Sequence, residues 1–304
     1  MSSDGNDKAD VANVDQSYMR KAKDILAGFA GGAVQVLIGQ PFDLVKVRMQ
    51  TGQYSSPFEA VTNTLKNEGA SAFYKGTLAP LFGVGACVSI QFYGFYEAKR
   101  QILKRHPKQK DLTLAQFFEA GAVAGIVNTP VTAPVEQIRI LLQVQSDNKN
   151  KLYRGPRDAI RKIVRSDGVA KGLFRGAFIT LLREAQAYGM WFLSYEYMMR
   201  QAVQIQHKQR KEISTPWLLL FGAAAGDILW LASYPLDVIK SRIQGDQFGP
   251  NSKYGGRIGS VVKEIAAKEG WRGFWRGIGP ALVRAIPCSA ATFTTVEYVL
   301  RWLG

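Results

Sequence analysis

Three stretches of this chain read alike: PFDLVKVRMQ from Pro41, PVEQIRILLQ from Pro134 and PLDVIKSRIQ from Pro235, with the prolines 93 and 101 residues apart. Each has a proline, an acid two residues on, a base three after that and a glutamine four further. A second signature follows each one: EGASAFYKG ending at Gly76, DGVAKGLFRG ending at Gly176 and EGWRGFWRG ending at Gly277, the glycines 100 and 101 residues apart. Common solenoid repeats run roughly 20–50 residues, so this period is too long for them. The 304 residues therefore hold three related units in one fold, not the two domains that length alone suggests. The units are read as 23–108, 109–212 and 213–304. Segment 1–22 is read as a disordered tail, because its first fifteen residues are polar and mostly acidic. They hold neither the apolar run of a secretory signal nor the arginines of a transit peptide.

Every unit carries two apolar segments separated by a more polar stretch. The best uncharged runs are Ile25–Phe42 (18 residues), Thr77–Tyr96 (20) and Ala120–Val135 (16). A membrane-spanning helix needs about 20 mostly apolar residues. Two runs meet that length and a third nearly does; the others are interrupted by Arg183 and Glu184, by Asp227 and by Arg284. Homologous units share topology, so the repeat raises the expected count to six spans. The interrupting charges then become the informative residues, since an ionisable group inside a membrane points to function. Gly28-x-x-x-Gly32, Gly121-x-x-x-Gly125 and Gly222-x-x-x-Gly226 occupy matching places in the three first helices, where such spacing lets helices approach closely.

Asp43, Lys46 and Gln50 fall on one helical stripe, as do Glu136, Arg139 and Gln143, and Asp237, Lys240 and Gln244. One such set reads as a solvated face. Three sets at the ends of membrane helices favour pairing between helices, with three acids and three bases closing one end of a central cavity. The prolines remove a helix hydrogen bond and are expected to bend each helix inward. Desolvation offsets most of the attraction in a buried pair, which suits a gate that opens repeatedly. Tyr74-Lys75-Gly76, Phe174-Arg175-Gly176 and Trp275-Arg276-Gly277 precede the second helices. Free N–H groups at a helix start bind phosphate, and Tyr153-Arg154-Gly155 and Tyr254-Gly255-Gly256 offer the same for a short helix in the polar stretch. Plain capping with an interfacial aromatic is the alternative.

The pattern P-x-[DE]-x-x-[KR], then [DE]-G, then aromatic-[KR]-G, three times from about Lys23 to Gly304, resembles the mitochondrial carrier family. The resemblance implies an all-α membrane protein of the inner mitochondrial membrane: three pseudo-symmetric repeats, six transmembrane helices around a central cavity, and short matrix-side helices. It implies a matrix gate of Lys46–Glu136, Arg139–Asp237 and Lys240–Asp43 pairs, with Gln50, Gln143 and Gln244 as braces and cardiolipin as the bound phospholipid. Departures stand out: unit two has Leu141 where a second base would follow, and one extra residue between Asp167 and Arg175. The family's cytoplasmic gate, aromatic-acid-x-x-base, fits Tyr96-Glu97-x-x-Arg100; the base is replaced by Met199 after Glu196 and by Leu300 after Glu297. Arg100–Glu196 is thus the one full pair expected there, and a resting state open to the cytoplasm follows.

Repeat symmetry breaks at the level of Arg183 and Arg284, whose counterpart in unit one is Gly83 or Val84, with Val84 favoured. Arginine forks grip carboxylates in bidentate fashion, and Glu184 is suited to accept an ammonium group or a coupled proton. One carboxylate site beside one cation site describes a zwitterion. Within the family, an Arg-acid pair here resembles carriers of amino acids and carnitine, and the segment from Arg284 to Phe293 resembles the carnitine/acylcarnitine and ornithine branch. Gln40 stands where carnitine carriers have histidine. The expected substrate is an amino acid, glutamate first, with carnitine or acylcarnitine second. The formal charge of +15 also suits a nucleic-acid binder, but no such module appears and the long apolar runs oppose it. No nucleophile–base set, Walker loop or metal spacing marks an enzyme, so a monomeric carrier without metal or cofactor is expected.

Overall fold

The computed structural model describes residues 4–109, 111–145, 152–249 and 252–302, and all of its regular elements among them are helical. The long helices are α1 (Asp4–Gln50), α3 (Leu78–Arg105), α4 (Leu114–Val144), α6 (Ala177–Gln206) and α7 (Thr215–Gly245). The sixth is divided into α9 (Ile278–Val283) and α10 (Ala285–Trp302). Pro287 has no N–H to donate to the Val283 carbonyl, which accounts for the interruption at Arg284. Short helices α2 (Pro57–Glu68), α5 (Pro156–Gly168) and α8 (Ile258–Lys268) fill the three polar stretches. Proline begins α2 and α5, where its missing N–H costs nothing. Ser56 caps α2 by accepting from the Glu59 N–H at 3.1 Å.

α1 takes in residues of segment 1–22, which the sequence suggested was a disordered tail. Between Asp4 and Ala27 there is no proline and Gly5 is the single glycine, so nothing in that stretch breaks a helix. Among the described residues one helix, α7, is by length and hydropathy able to cross a membrane alone. The runs singled out for lack of charge lie in α1, α3 and α4.

The chain divides into two compact units that cut across the repeats: residues 1–39 with 286–304, and residues 40–285. In the first, the Cys288 thiol donates to the Gln35 carbonyl at 3.6 Å. In the second, α4 packs against α3 and α6, and α6 against α7. An aromatic pile joins α3, α4 and α6, with Phe95 and Phe192 stacked at 3.9 Å between ring centres. Tyr234, Val238 and Ile243 of α7 pack with Val261 and Ile265 of α8 in the largest apolar cluster among the described residues.

The three small-residue motifs are not equivalent. A Cβ on Gly121 would lie 2.5 Å from the Tyr188 carbonyl oxygen, and one on Gly125 would lie 2.4 Å from that of Glu184. That glycine pair lets α4 touch the α6 backbone directly. At Gly222, Gly226, Gly28 and Gly32 an added Cβ meets nothing within 4 Å among the described residues, so within those residues the close approach is seen in the second repeat.

Candidate functional site

The second halves of α1, α4 and α7 each present an acid, a base and a glutamine on one stripe, and three ion pairs join them in a closed ring. Asp43 pairs with Arg139 at 2.6 Å, Glu136 with Lys240 at 2.5 Å and Asp237 with Lys46 at 2.7 Å. The six residues expected together are together, but the pairing runs the opposite way from the one expected. Each acid takes the base of the following repeat, so Lys46–Glu136, Arg139–Asp237 and Lys240–Asp43 are replaced. The reason lies in what else reaches each acid. Gln50 donates to Asp237 at 2.8 Å and Gln40 accepts from Arg139 at 2.9 Å, holding Asp237 beside α1 and Arg139 beside Asp43.

Among the expected braces, Gln50 alone contacts an ion pair; its Oε1 also accepts from Ser241 at 2.8 Å. Gln143 is buried with both amide atoms unpartnered among the described residues, and Gln244 donates instead to Thr180 Oγ1 at 3.3 Å. Gln40, expected at the substrate, is fully buried and spends both amide atoms on protein, donating to the Lys75 carbonyl at 2.6 Å and accepting from Arg139.

Arg183 and Glu184, adjacent on α6, are ion-paired with each other. Arg183 also reaches Glu136 at 3.3 Å and lies 3.9 Å from Asp237. Arg284 stands 3.4 Å from Asp43. Every acid of the ring therefore has a second cation, and that cation is one of the two symmetry-breaking arginines. The Nε atoms of Arg139, Arg183 and Arg284 and the Oε2 of Glu184 are buried without a hydrogen-bond partner among the described residues. Gly83 and Val84 lie in a stretch of α3 whose side chains are outside the described residues.

An outer layer surrounds the ring. Arg48 forks onto Glu68 at 2.6 and 2.9 Å and donates through Nε to the Gln143 carbonyl at 3.0 Å. Arg242 pairs with Glu269 at 2.5 Å and donates through Nε to the Gln50 carbonyl at 2.9 Å. Burial opposes ionisation of Glu68 and Glu269. The hydrogen bonds from Arg48 and Lys75, and from Arg242 and Arg276, outweigh it and hold both carboxyls below the usual range.

The bases of the second signature clasp the next repeat. Lys75 donates to the Gln145 carbonyl at 3.3 Å, Arg175 to the Gln247 carbonyl and Asp246 at 2.7 Å, and Arg276 to the Tyr54 carbonyl at 2.9 Å. The glycine after each base has φ of 79°, 73° or 86°, a region open to glycine at no steric cost. A Cβ there would press on Arg139, Ile243 or Lys46 of that same neighbouring repeat at 3.1–3.2 Å. The extra residue of the second repeat is taken up by a π turn at Val169–Leu173, where the other repeats have 3-10 turns.

At the far ends of α3 and α6 no comparable ring forms among the described residues. Arg100 pairs with Glu97 on its own helix, so the expected Arg100–Glu196 pair is absent. Glu196 is held instead by Arg200 at 2.9 Å and Arg210 at 2.7 Å. Arg100 and Arg200 take acids three or four residues away on their own helices, and Arg210 reaches Glu196 from the segment that follows α6. The Glu297 side chain lies outside the described residues.

Sequence reasoning missed Gln137 and Asp246. Gln137 donates to the Gln244 carbonyl at 2.9 Å, and Asp246 accepts from Arg175, Ser252 and the N–H groups of Gln247, Lys253 and Tyr254. The available signal was Leu141, whose missing charge required a substitute.

A family model described as "Mitochondrial carrier protein" matches residues 19–106, 110–205 and 211–304. The chain is 44% identical to "Carrier protein YMC2, mitochondrial" of Saccharomyces cerevisiae, covering 95% of this chain and 91% of that protein. It is 43% identical to "Glutamate/glycine mitochondrial carrier ymc1" of Schizosaccharomyces pombe, covering 92% and 94%. It is 44% identical to "Mitochondrial glycine transporter YMC1" of Saccharomyces cerevisiae, covering 94% and 92%.

Proposed function

This chain belongs to the mitochondrial carrier family, whose members are transporters and not enzymes, and we propose that it moves a small amino acid, glutamate first, across the inner mitochondrial membrane by alternating access. The observation that carries this reading is a set of buried polar atoms around the ring that make no hydrogen bond among the described residues: the Glu184 Oε2 acceptor and three arginine Nε donors, two of which face Asp43 and Asp237 at 3.4 and 3.9 Å. Arginine donors suit a carboxylate, and a carboxylate oxygen suits an ammonium group. An amino acid brings both. In this reading Arg183, Glu184 and Arg284 take the substrate, and Gln40 positions Arg139. The ring of Asp43, Lys46, Glu136, Arg139, Asp237 and Lys240 is the matrix gate, held by its three ion pairs. Two relatives named for glutamate or glycine support the same class. Cardiolipin at the aromatic-base-Gly helix starts would rely on backbone N–H groups, because each base is already taken up by protein acceptors.

The test is uptake into cardiolipin-containing liposomes holding the purified protein, with glutamate, glycine, basic amino acids, carnitine, acylcarnitine, ADP and oxoglutarate compared. Saturable glutamate or glycine uptake that Arg284→Ala abolishes is the expected result. Transport of ADP alone, or of carnitine alone, overturns the proposal.

A further inference from the structure

We propose that a cleft between α3 and α4, at the end of these helices away from the ring, binds a zwitterionic phospholipid with a primary ammonium group, phosphatidylethanolamine. The proposal rests on the reading that α3 and α4 span the membrane, and it concerns a face outside the substrate path.

The cleft has a volume of about 240 Å³ and is lined by residues between 93 and 105 of α3 and between 119 and 127 of α4. Gly94 brings the two helices together along it, since a Cβ there would lie 3.2 Å from the Ala124 Cα. Glu119, Val123 and Val127 share one stripe of α4. Val127 and Glu136 are nine residues apart, about two and a half turns, so this stripe faces away from the ring. Gly121 and Gly125, which touch α6, are each two residues from a cleft residue, about 200° round the helix. Tyr93 and Val127 are 69% and 42% exposed. The cleft thus opens outward from α3 and α4, which in a membrane is the lipid side.

Polarity is graded along it. Arg105 ends α3, and Glu119 lies about 8 Å into α4, whereas Val123 and Val127 lie about 14 and 20 Å in. Charged groups near the helix ends and apolar ones further in match a lipid whose head stays at the surface and whose chain points inward.

The charges name the head group. Both oxygens of Glu97 are taken up by Arg100 and Gln101 of its own helix. Glu119 and Arg105 line the same cleft, yet neither makes an ion pair or a side-chain hydrogen bond among the described residues. An unpaired acid within a membrane helix is costly and marks a function. An unpaired acid and an unpaired base in one cleft complement a head that carries an ammonium and a phosphate. The ammonium N–H groups donate to Glu119, and the phosphate oxygens accept from the Arg105 guanidinium. Phosphatidylcholine keeps the phosphate but has no N–H to donate. Cardiolipin and fatty acids bring negative charge alone, which Glu119 opposes.

The experiment is native mass spectrometry of the detergent-purified carrier with phosphatidylethanolamine, phosphatidylcholine and cardiolipin of the same acyl chains. The wild type is expected to favour phosphatidylethanolamine over phosphatidylcholine by about tenfold, the scale of one charge-assisted hydrogen bond. Glu119→Gln is expected to bring that ratio near unity, and Arg105→Gln to weaken both lipids together. Val127→Phe fills the cleft and is expected to abolish the preference. Should Glu119→Gln fail to fold, N-methylated phosphatidylethanolamines read the same contact in the wild type, with affinity falling as methyl groups replace the N–H donors. Equal binding of the two lipids by the wild type, or a preference that survives Glu119→Gln and Val127→Phe, overturns the proposal and leaves the carrier reading standing. Competition by free phosphoethanolamine as strong as by the whole lipid overturns the lipid assignment. A protein that stays monodisperse without detergent sinks the proposal and the membrane-spanning reading together.

Discussion

Gln137 donates through Nε2 to the main-chain carbonyl of Gln244 at 2.9 Å, and this bond makes in the second repeat the link that Arg48 and Arg242 make in the others. All three links end on the carbonyl of a stripe glutamine in the next repeat. Leu141 occupies the place matching Arg48 and Arg242, and the amide four residues earlier has taken over the bond. Replacing Gln137 with leucine leaves the buried Gln244 carbonyl without this donor. The expected loss is about 1–3 kcal/mol of stability, the usual cost of an orphaned buried polar group. Thermal unfolding of the purified protein checks it.

The sense of the ring is open to charge-swap cycles. Lys46→Asp and Asp237→Lys should each impair transport, and the double variant should recover a substantial part of it. Lys46→Asp combined with Glu136→Lys should recover nothing, because those residues are not partners here. Recovery in the second pair and not the first would reverse the assignment.

Gly125 and Gly226 hold matching positions and should respond oppositely to alanine. The Gly125 methyl would press on the Glu184 carbonyl, displacing α6 at the residue beside Arg183, at a cost of about 1–3 kcal/mol. The Gly226 methyl meets nothing within 4 Å among the described residues, and the change is expected to be neutral or slightly stabilising. Melting temperatures of the two variants decide.

Asp246 is a buried hub between the second and third repeats, accepting from Arg175 and from three backbone N–H groups. Asp246→Ala leaves the Arg175 guanidinium nearly buried and unpaired, with an expected loss of about 3–5 kcal/mol. Lys75→Ala, at the matching junction, removes a more exposed base and should cost far less. Comparable melting temperatures for the two would contradict this ordering.

Acid lability has a defined direction. The carboxyls of Glu68 and Glu269 are held below the usual range, so their contribution is complete above the unfolded-state value of about 4.3 and is lost as pH falls through the depressed folded values. The stability gap between wild type and Glu269→Gln should therefore be widest near neutrality and close on acidification. A gap that widens toward low pH would show the opposite linkage.

The repeat made the fold class legible, because two signatures recurring at one period leave little freedom in helix order. It also showed which residues meet, since acid, base and glutamine at offsets of three and seven share a helix face. Partner choice within the ring was not legible. Gln40 and Gln50, which bias it, are neutral residues whose contacts depend on how three helices are rotated about their axes. The glycine motifs were legible in part for a related reason: spacing tells that a helix can be approached, and of the three motifs Gly121 with Gly125 is the one that meets a neighbouring backbone among the described residues. Leu141 carried a readable hint of a substitute, but the substitute lay at a different offset on the stripe.

Labelled glutamate influx into liposomes preloaded with unlabelled glutamate, measured for wild type and for Arg183→Gln matched in thermal unfolding, tests the central claim most directly. The account predicts saturable influx by the wild type and loss to the protein-free background in the variant. Undiminished influx in the Arg183→Gln protein would contradict it.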